Sequence, residues 1–162
     1  MAAPTPAEVP SDDGDRARDP AELRREDFPV LRPQSTRWHD NDHYGHVNNV
    51  VHYSYFDTAV NGYLIEATGR DIRALDAIGL VVETGCRYLA PISFPDRLEV
   101  GLAVDRLGTS SVTYRLALFR EGDAAPTAVA RFVHVYVDRD DRTATSLPTV
   151  IRQALEPLVV RG

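Results

Sequence analysis

The sequence contains no lysine; all 18 of its basic residues are arginine. That absence excludes a Schiff-base lysine, a pyridoxal-phosphate lysine and the lysine of a phosphate-binding loop. Cysteine occurs once, at Cys86. A single cysteine rules out an internal disulfide framework and a Cys-rich zinc site. No run of eighteen apolar residues occurs, so no transmembrane helix is expected. The N-terminal residues show no basic start followed by an apolar stretch. A secretory signal is therefore not expected, and a cytoplasmic location is the default. A Gly-x-Ser-x-Gly elbow and a clustered glycine fingerprint for nucleotides are also missing.

What is present suits one domain. The chain has 162 residues, 43% hydrophobic and 26% charged, enough for a single core. Its net charge is −6, and residues 1–27, with eight acids and four arginines, account for −4 of it. A near-neutral body behind an acidic segment argues against nucleic acid as the main partner. The same segment carries Pro4, Pro6, Pro10 and Pro20 and few large apolar residues. It is expected to be a disordered tail, with the folded domain over residues 28–162.

Periodicity then places the elements. Residues 28–38 read as a first strand, broken by Pro33. Val50, Tyr53, Phe56, Val60, Tyr63, Leu64 and Ala67 recur at threes and fours, which predicts a helix over residues 49–68. Asn48 or Asn49 would cap its start and Gly69 its end. Apolar residues around much of its girth suggest that a sheet wraps it. Residues 72–78 read as a short helix. Strand patterns follow over 80–89, 97–107, 110–120 and 128–138, the second and third alternating and the last rich in Val, Phe and Tyr, and Pro148 opens a short final helix. One helix followed by four strands able to pair as an antiparallel meander is an α+β pattern. The outer face and edges of such a sheet need cover, and self-association supplies it, so a homodimer or homotetramer is expected.

The one dense polar cluster precedes the long helix. His39, His43, His46, His52, Asp40 and Asp42 crowd into residues 39–52. A helix N-terminus offers free N–H groups and a partial positive charge, which can polarise a carbonyl and hold an oxyanion. A carboxylate beside it can activate water or attack directly. An Asp in this position is more often only a helix or turn cap. The histidines lack the His-Glu-x-x-His spacing of a zinc helix, so no metal and no cofactor are expected. His134 and Cys86, each inside a strand pattern, are expected to be structural.

The run Asp40-Asn41-Asp42-His43-Tyr44-Gly45-His46-Val47-Asn48-Asn49, with Tyr55-Phe56-Asp57 on the helix, resembles the hotdog-fold acyl-CoA thioesterases of the 4-hydroxybenzoyl-CoA thioesterase type. Gly-His-Val-Asn-Asn resembles the branch acting on fatty and related acyl-CoAs. Arg87-Tyr88-Leu89-Ala90-Pro91, Asp96-Arg97-Leu98-Glu99-Val100 and Ser146-Leu147-Pro148 extend the likeness over roughly residues 28–158. The resemblance implies an antiparallel sheet wrapped around the long helix, and hydrolysis of an acyl-CoA to free acid and coenzyme A. It implies Asp42 as base or nucleophile, Asn49 as a partner that positions water or substrate, and an oxyanion region at Gly45, His46, Val47 and Asn48. Glu83 is a possible second acid, on a strand expected near a partner's helix. A hotdog hydratase or dehydratase, or a non-catalytic binder of acyl thioesters, would suit the same loop.

Overall fold

The computed structural model describes residues 18–160. Its centre is one five-stranded antiparallel sheet with a long helix, α1 (Asn49–Thr68), against one face. The strands are β1 (Val30–Ser35), β2 (Ala77–Tyr88), β3 (Arg97–Leu107), β4 (Ser111–Arg120) and β5 (Ala128–Asp138). A short helix, α2 (Thr149–Leu155), closes one end. This is the expected hotdog architecture.

Helix α1 begins and ends where its caps dictate. Asn48 Oδ1 accepts the Val50 N–H at 3.2 Å, and Gly69 stops the helix at φ 62° while its N–H reaches Ile65 O at 2.9 Å. The helix lays Tyr55, Phe56, Ala59, Val60 and Leu64 on the sheet. They meet alternate residues of three strands: Leu98, Val100, Leu102 and Val104 of β3, Val112, Tyr114, Leu116 and Leu118 of β4, and Ala130, Phe132 and Tyr136 of β5. Each large side chain buried here contributes about 1.5–3 kcal/mol, so this layer carries most of the hydrophobic stabilisation.

The strand order is β1-β3-β4-β5-β2. β3, β4 and β5 form the expected meander, but β2 pairs with β5 at the far edge instead of joining the meander beside β3. The link from β2 to β3 therefore crosses the end of the sheet. There it is fastened by Leu89 and Ala90 N–H to Thr127 O and by Val47 N–H to Ile92 O. Residues 72–78, expected as a helix, hold only a 3-10 turn over Ile72–Ala74 before β2 starts at Ala77, opposite Asp138. Strand pairing outweighs their local helical spacing. Pro33 sits within β1, where an edge position tolerates its missing N–H.

Of the expected tail, residues 1–17 lie outside the described residues. Residues 18–27 lie against the domain. Two 3-10 turns, Pro20–Glu22 and Arg25–Asp27, carry Leu23 and lead to Phe28, both buried. These side chains cover Ala103, Ala117, Phe119 and Val129 on the outer sheet face. Gly101 is required there, because a Cβ would come within 2.7 Å of the Phe28 ring. Arg25 also pairs with Glu99 and lies over the Phe119 ring. The apolar outer face supplies the cover-seeking surface that the segment's own composition does not reveal.

Candidate active site

The loop before α1 is shaped by two aspartates with opposite roles. Asp40 is buried, 1% exposed. Its carboxylate accepts the Tyr55 hydroxyl at 2.6 Å, the Arg37 N–H at 2.8 Å and Arg37 Nε at 3.0 Å. Burial works against its charge, but the Arg37 and Tyr55 hydrogen bonds outweigh it and hold the carboxyl below its ordinary pKa. In return, burial and the Asp40 carboxylate push the Tyr55 pKa upward. Asp40 O accepts the Asn48 N–H at 2.8 Å, which fixes the start of α1.

Asp42 turns the other way. One carboxylate oxygen takes the Tyr44 N–H at 2.8 Å, and the Asp42 carbonyl accepts the Gly45 N–H at 3.2 Å. Gly45 completes this turn at φ 84°, a conformation that favours glycine. The linker after β2 braces the turn. Ser93 Oγ donates to Gly45 O at 2.7 Å, and Asn41 takes the Phe94 N–H at 3.0 Å.

Asp42 lines an open cleft of about 370 Å³ together with His46, Val47, Asn49 and His52 on one side and Tyr88 to Ile92 on the other. Asn48 caps the helix. Among the N–H groups of residues 45–49, Gly45 donates to Asp42 O, Val47 to Ile92 O and Asn48 to Asp40 O. Those of His46 and Asn49 have no acceptor among the described residues. The positive end of α1 is thus open to the cleft through Asn49, its first residue.

Two further residues line the cleft: His52, one of the clustered histidines, and Tyr88, which had no expected role. Tyr88 donates to Asn49 O at 3.1 Å, and burial above all, with Cys86 beside it, pushes its pKa up to about 12. His52 stands edge-on to Tyr88, with ring centroids 5.0 Å apart. Burial lowers its pKa in spite of the contact with Asn48 O, so the imidazole stays neutral at pH 7. The only sequence signal for Tyr88 was its place in the Arg87–Pro91 segment, whereas His52 was visible as one of the clustered histidines. Glu83 is not brought to Asp42 within the chain. It pairs with Arg131 on the sheet face away from α1. The Cys86 thiol is half-buried, and burial raises its pKa. No group of three or more metal-ligating side chains converges among the described residues. No helix of those residues is long and apolar enough to cross a membrane.

The model of the thioesterase-like superfamily matches residues 36–155, which span α1, all of β2 to β5 and the Asp42 loop. The chain belongs to this superfamily. The PA5185 protein of Pseudomonas aeruginosa PAO1 is 54% identical over 84% of this chain and 95% of its own, with a TM-score of 0.81. A Thermus thermophilus thioesterase, solved as a complex with coenzyme A and Zn, is 30% identical. The match covers 82% of this chain and 96% of that one, at a TM-score of 0.68. A 1,4-dihydroxy-2-naphthoyl-CoA thioesterase of Synechocystis shares the fold at 18% identity, with 79% and 94% covered and a TM-score of 0.71. No curated protein matches the sequence.

Proposed function

We propose that this thioesterase-like protein hydrolyses an acyl-CoA thioester, in the manner of the 4-hydroxybenzoyl-CoA thioesterase type that its Asp40–Asn49 segment resembles. The observation that carries the reading is the pairing of Asp42 with the open Asn49 N–H in one cleft. The thioester carbonyl oxygen lies against the Asn49 N–H, where the helix dipole favours negative charge developing on it. Asp42 takes a proton from water as the oxygen adds to the carbonyl carbon, and the C–S bond of the adduct then breaks to release the acid; or its carboxylate adds directly, the C–S bond breaks to leave an acyl-Asp42 anhydride, and water hydrolyses the anhydride. In either route coenzyme A leaves as a thiolate, which solvent protonates. Asn49 positions the water or the acyl group. The coenzyme A bound to the T. thermophilus relative supports the choice of leaving group.

The active form is a homo-oligomer, built on the β2 edge. This twelve-residue strand is unpaired on one side and exposes Leu80, Val81 and Val82. A long, apolar open edge is a template for a second copy. Val82→Asp is expected to shift the molar mass measured by light scattering down to one chain; an unchanged mass excludes this edge as the interface.

The activity is tested by thiol release from short, medium, long and aromatic acyl-CoAs. Release from at least one supports hydrolysis. Loss of enoyl absorbance without thiol release points to a hydratase instead. Tight binding without either reaction makes the protein a binder.

A further inference from the structure

The outer face of the sheet, turned away from α1, divides into two halves. One is polar: Arg115 pairs with Asp105 at 2.6 Å, and Arg131 pairs with Glu83. The other is flat and apolar. Leu31 of β1, Gly101 of β3, Ala117 of β4 and Val129 of β5 stand side by side in the register, with Ala103 and Phe119 beside them. Small residues in the middle strands raise no ridges, so a second sheet can lie on them at the usual spacing of about 10 Å. An apolar patch of this kind, once open to water, is a site of association.

Residues 18–28 close that half, and the way they are held is the decisive observation. Phe28 fills the space over Gly101 and stands edge-on to Phe119, with ring centroids 5.7 Å apart. Leu23 is buried in the same cluster. Arg25 lies over the Phe119 ring, pairs with Glu99 and donates to Asp123 O at 3.3 Å. Asp19 reaches Arg87 of β2 at 3.9 Å. The segment therefore crosses the strands and does not run beside one of them. Its backbone bonds are internal: the N–H groups of Glu22, Leu23, Asp27 and Phe28 go to the carbonyls of Asp19, Pro20, Arg24 and Arg25. Among the described residues none joins the backbone of the sheet. Arg18 and Asp27 pair with each other, at 2.7 Å. Two apolar side chains and one arginine thus do most of the fastening, without a strand ladder. The segment also lies ahead of residues 36–155, which the superfamily model matches.

We propose that residues 18–28 are a strap that keeps a second copy of this chain off the outer face. Strap and second copy compete for the surface of Ala103, Ala117, Phe119 and Val129. With the strap docked, copies associate only through other surfaces. With it released, two outer faces stack about a two-fold axis, because a patch that is apolar on one copy is apolar on the other. The rim suits the same occupant. Release of the strap takes Arg25 from Glu99 and Asp19 from Arg87. It leaves one acid and one base at the edge of the patch, and a second copy brings the same two charges to meet them.

Light scattering on the full chain tests the strap and needs no turnover, so its outcome is separate from that of the hydrolase reading. The double variant Leu23→Ser/Phe28→Ser removes both apolar anchors and leaves the α1 side of the sheet untouched. Its release is read by trypsin: cleavage after Arg24 should be at least about tenfold faster than in wild type. Its molar mass should be about twice that of wild type at the same concentration. Adding Ala117→Glu, on the face itself, should bring the mass back to the wild-type value. Adding Val82→Asp should leave the doubling in place, relative to Val82→Asp alone, which separates this face from the β2 edge. If the double variant does not fold, Leu23→Ser alone should give a mass that rises with protein concentration while that of wild type stays level. Unchanged trypsin cleavage shows that these side chains do not hold the strap and overturns the proposal. So does a released strap with the wild-type mass, or an increase that Ala117→Glu does not reverse.

Discussion

The inner and the cleft side of the loop before α1 each hold an aspartate, two residues apart, and differ in almost every physical respect. Asp40 faces the core, is closed to water and accepts three hydrogen bonds from Arg37 and Tyr55. Asp42 faces the cleft, and a single backbone N–H is bonded to its carboxylate. A carboxylate saturated with donors is a structural anchor whose charge the fold holds fixed. One that has a free oxygen in the same cleft as the open Asn49 N–H can accept a proton or attack a carbon. The resemblance names both acids of the Asp-x-Asp pattern, and burial separates their tasks. Asp40 builds the platform on which Asp42 is presented, because its own carbonyl fixes the Asn48 N–H and so the start of the helix.

That division can be broken from either side. The largest expected loss of stability is on the inner side. Asp40→Ala leaves the Tyr55 hydroxyl unpaired in the core, and about 1–3 kcal/mol should be lost. Thermal unfolding should drop by roughly 3–10 °C, with turnover per folded molecule kept within a few-fold. A collapse of turnover in a protein of unchanged melting temperature would reverse the assignment of the two acids. A smaller effect follows from pH. The fold favours charged Asp40, so its contribution is fully present above the unfolded carboxyl pKa of about 3.9 and fades as pH falls through the lower folded value. Denaturant titrations of wild type and Asp40→Asn at pH 7 and pH 3 should show the gap between them narrowing at the lower pH; a constant gap would mean the charge is not what stabilises. The smallest effect is on the cleft side. Tyr88→Phe removes one hydrogen bond to Asn49 O, worth about 0.5–1.5 kcal/mol, and kcat/KM should fall about two- to tenfold.

Much of this architecture was legible because it is local. Asn48, Gly69 and the threes-and-fours spacing delimit α1, alternation marks β3 and β4, and a run rich in Val, Phe and Tyr marks β5. The place of β2 was not legible, because its pairing with β5 joins residues some fifty positions apart, as at Val81 opposite His134. The orientation of Glu83 was hidden for a related reason. A bulge between Val81 and Glu83 shifts the alternation by one. Val81 therefore shares the helix-facing side with His134, and Glu83 falls with Val133 on the other side. Simple alternation would have put Glu83 toward α1. Asp42, Asn49 and His46 could be named from the motif and do share the cleft. Gly45, Val47 and Asn48 came with them in sequence, yet their N–H groups are engaged inside the loop. Which amide stays free depends on acceptors at Ile92 and Asp40, and no spacing rule reports that.

The most direct test of the central claim compares kcat/KM for thiol release by wild type and Asp42→Asn, on the best acyl-CoA, in preparations with matching melting temperatures. Replacement of the carboxylate by its amide should keep the Tyr44 contact and lose the base or nucleophile, with a drop of at least about a hundredfold. Activity within a few-fold of wild type would contradict the account and return Asp42 to the role of a turn cap.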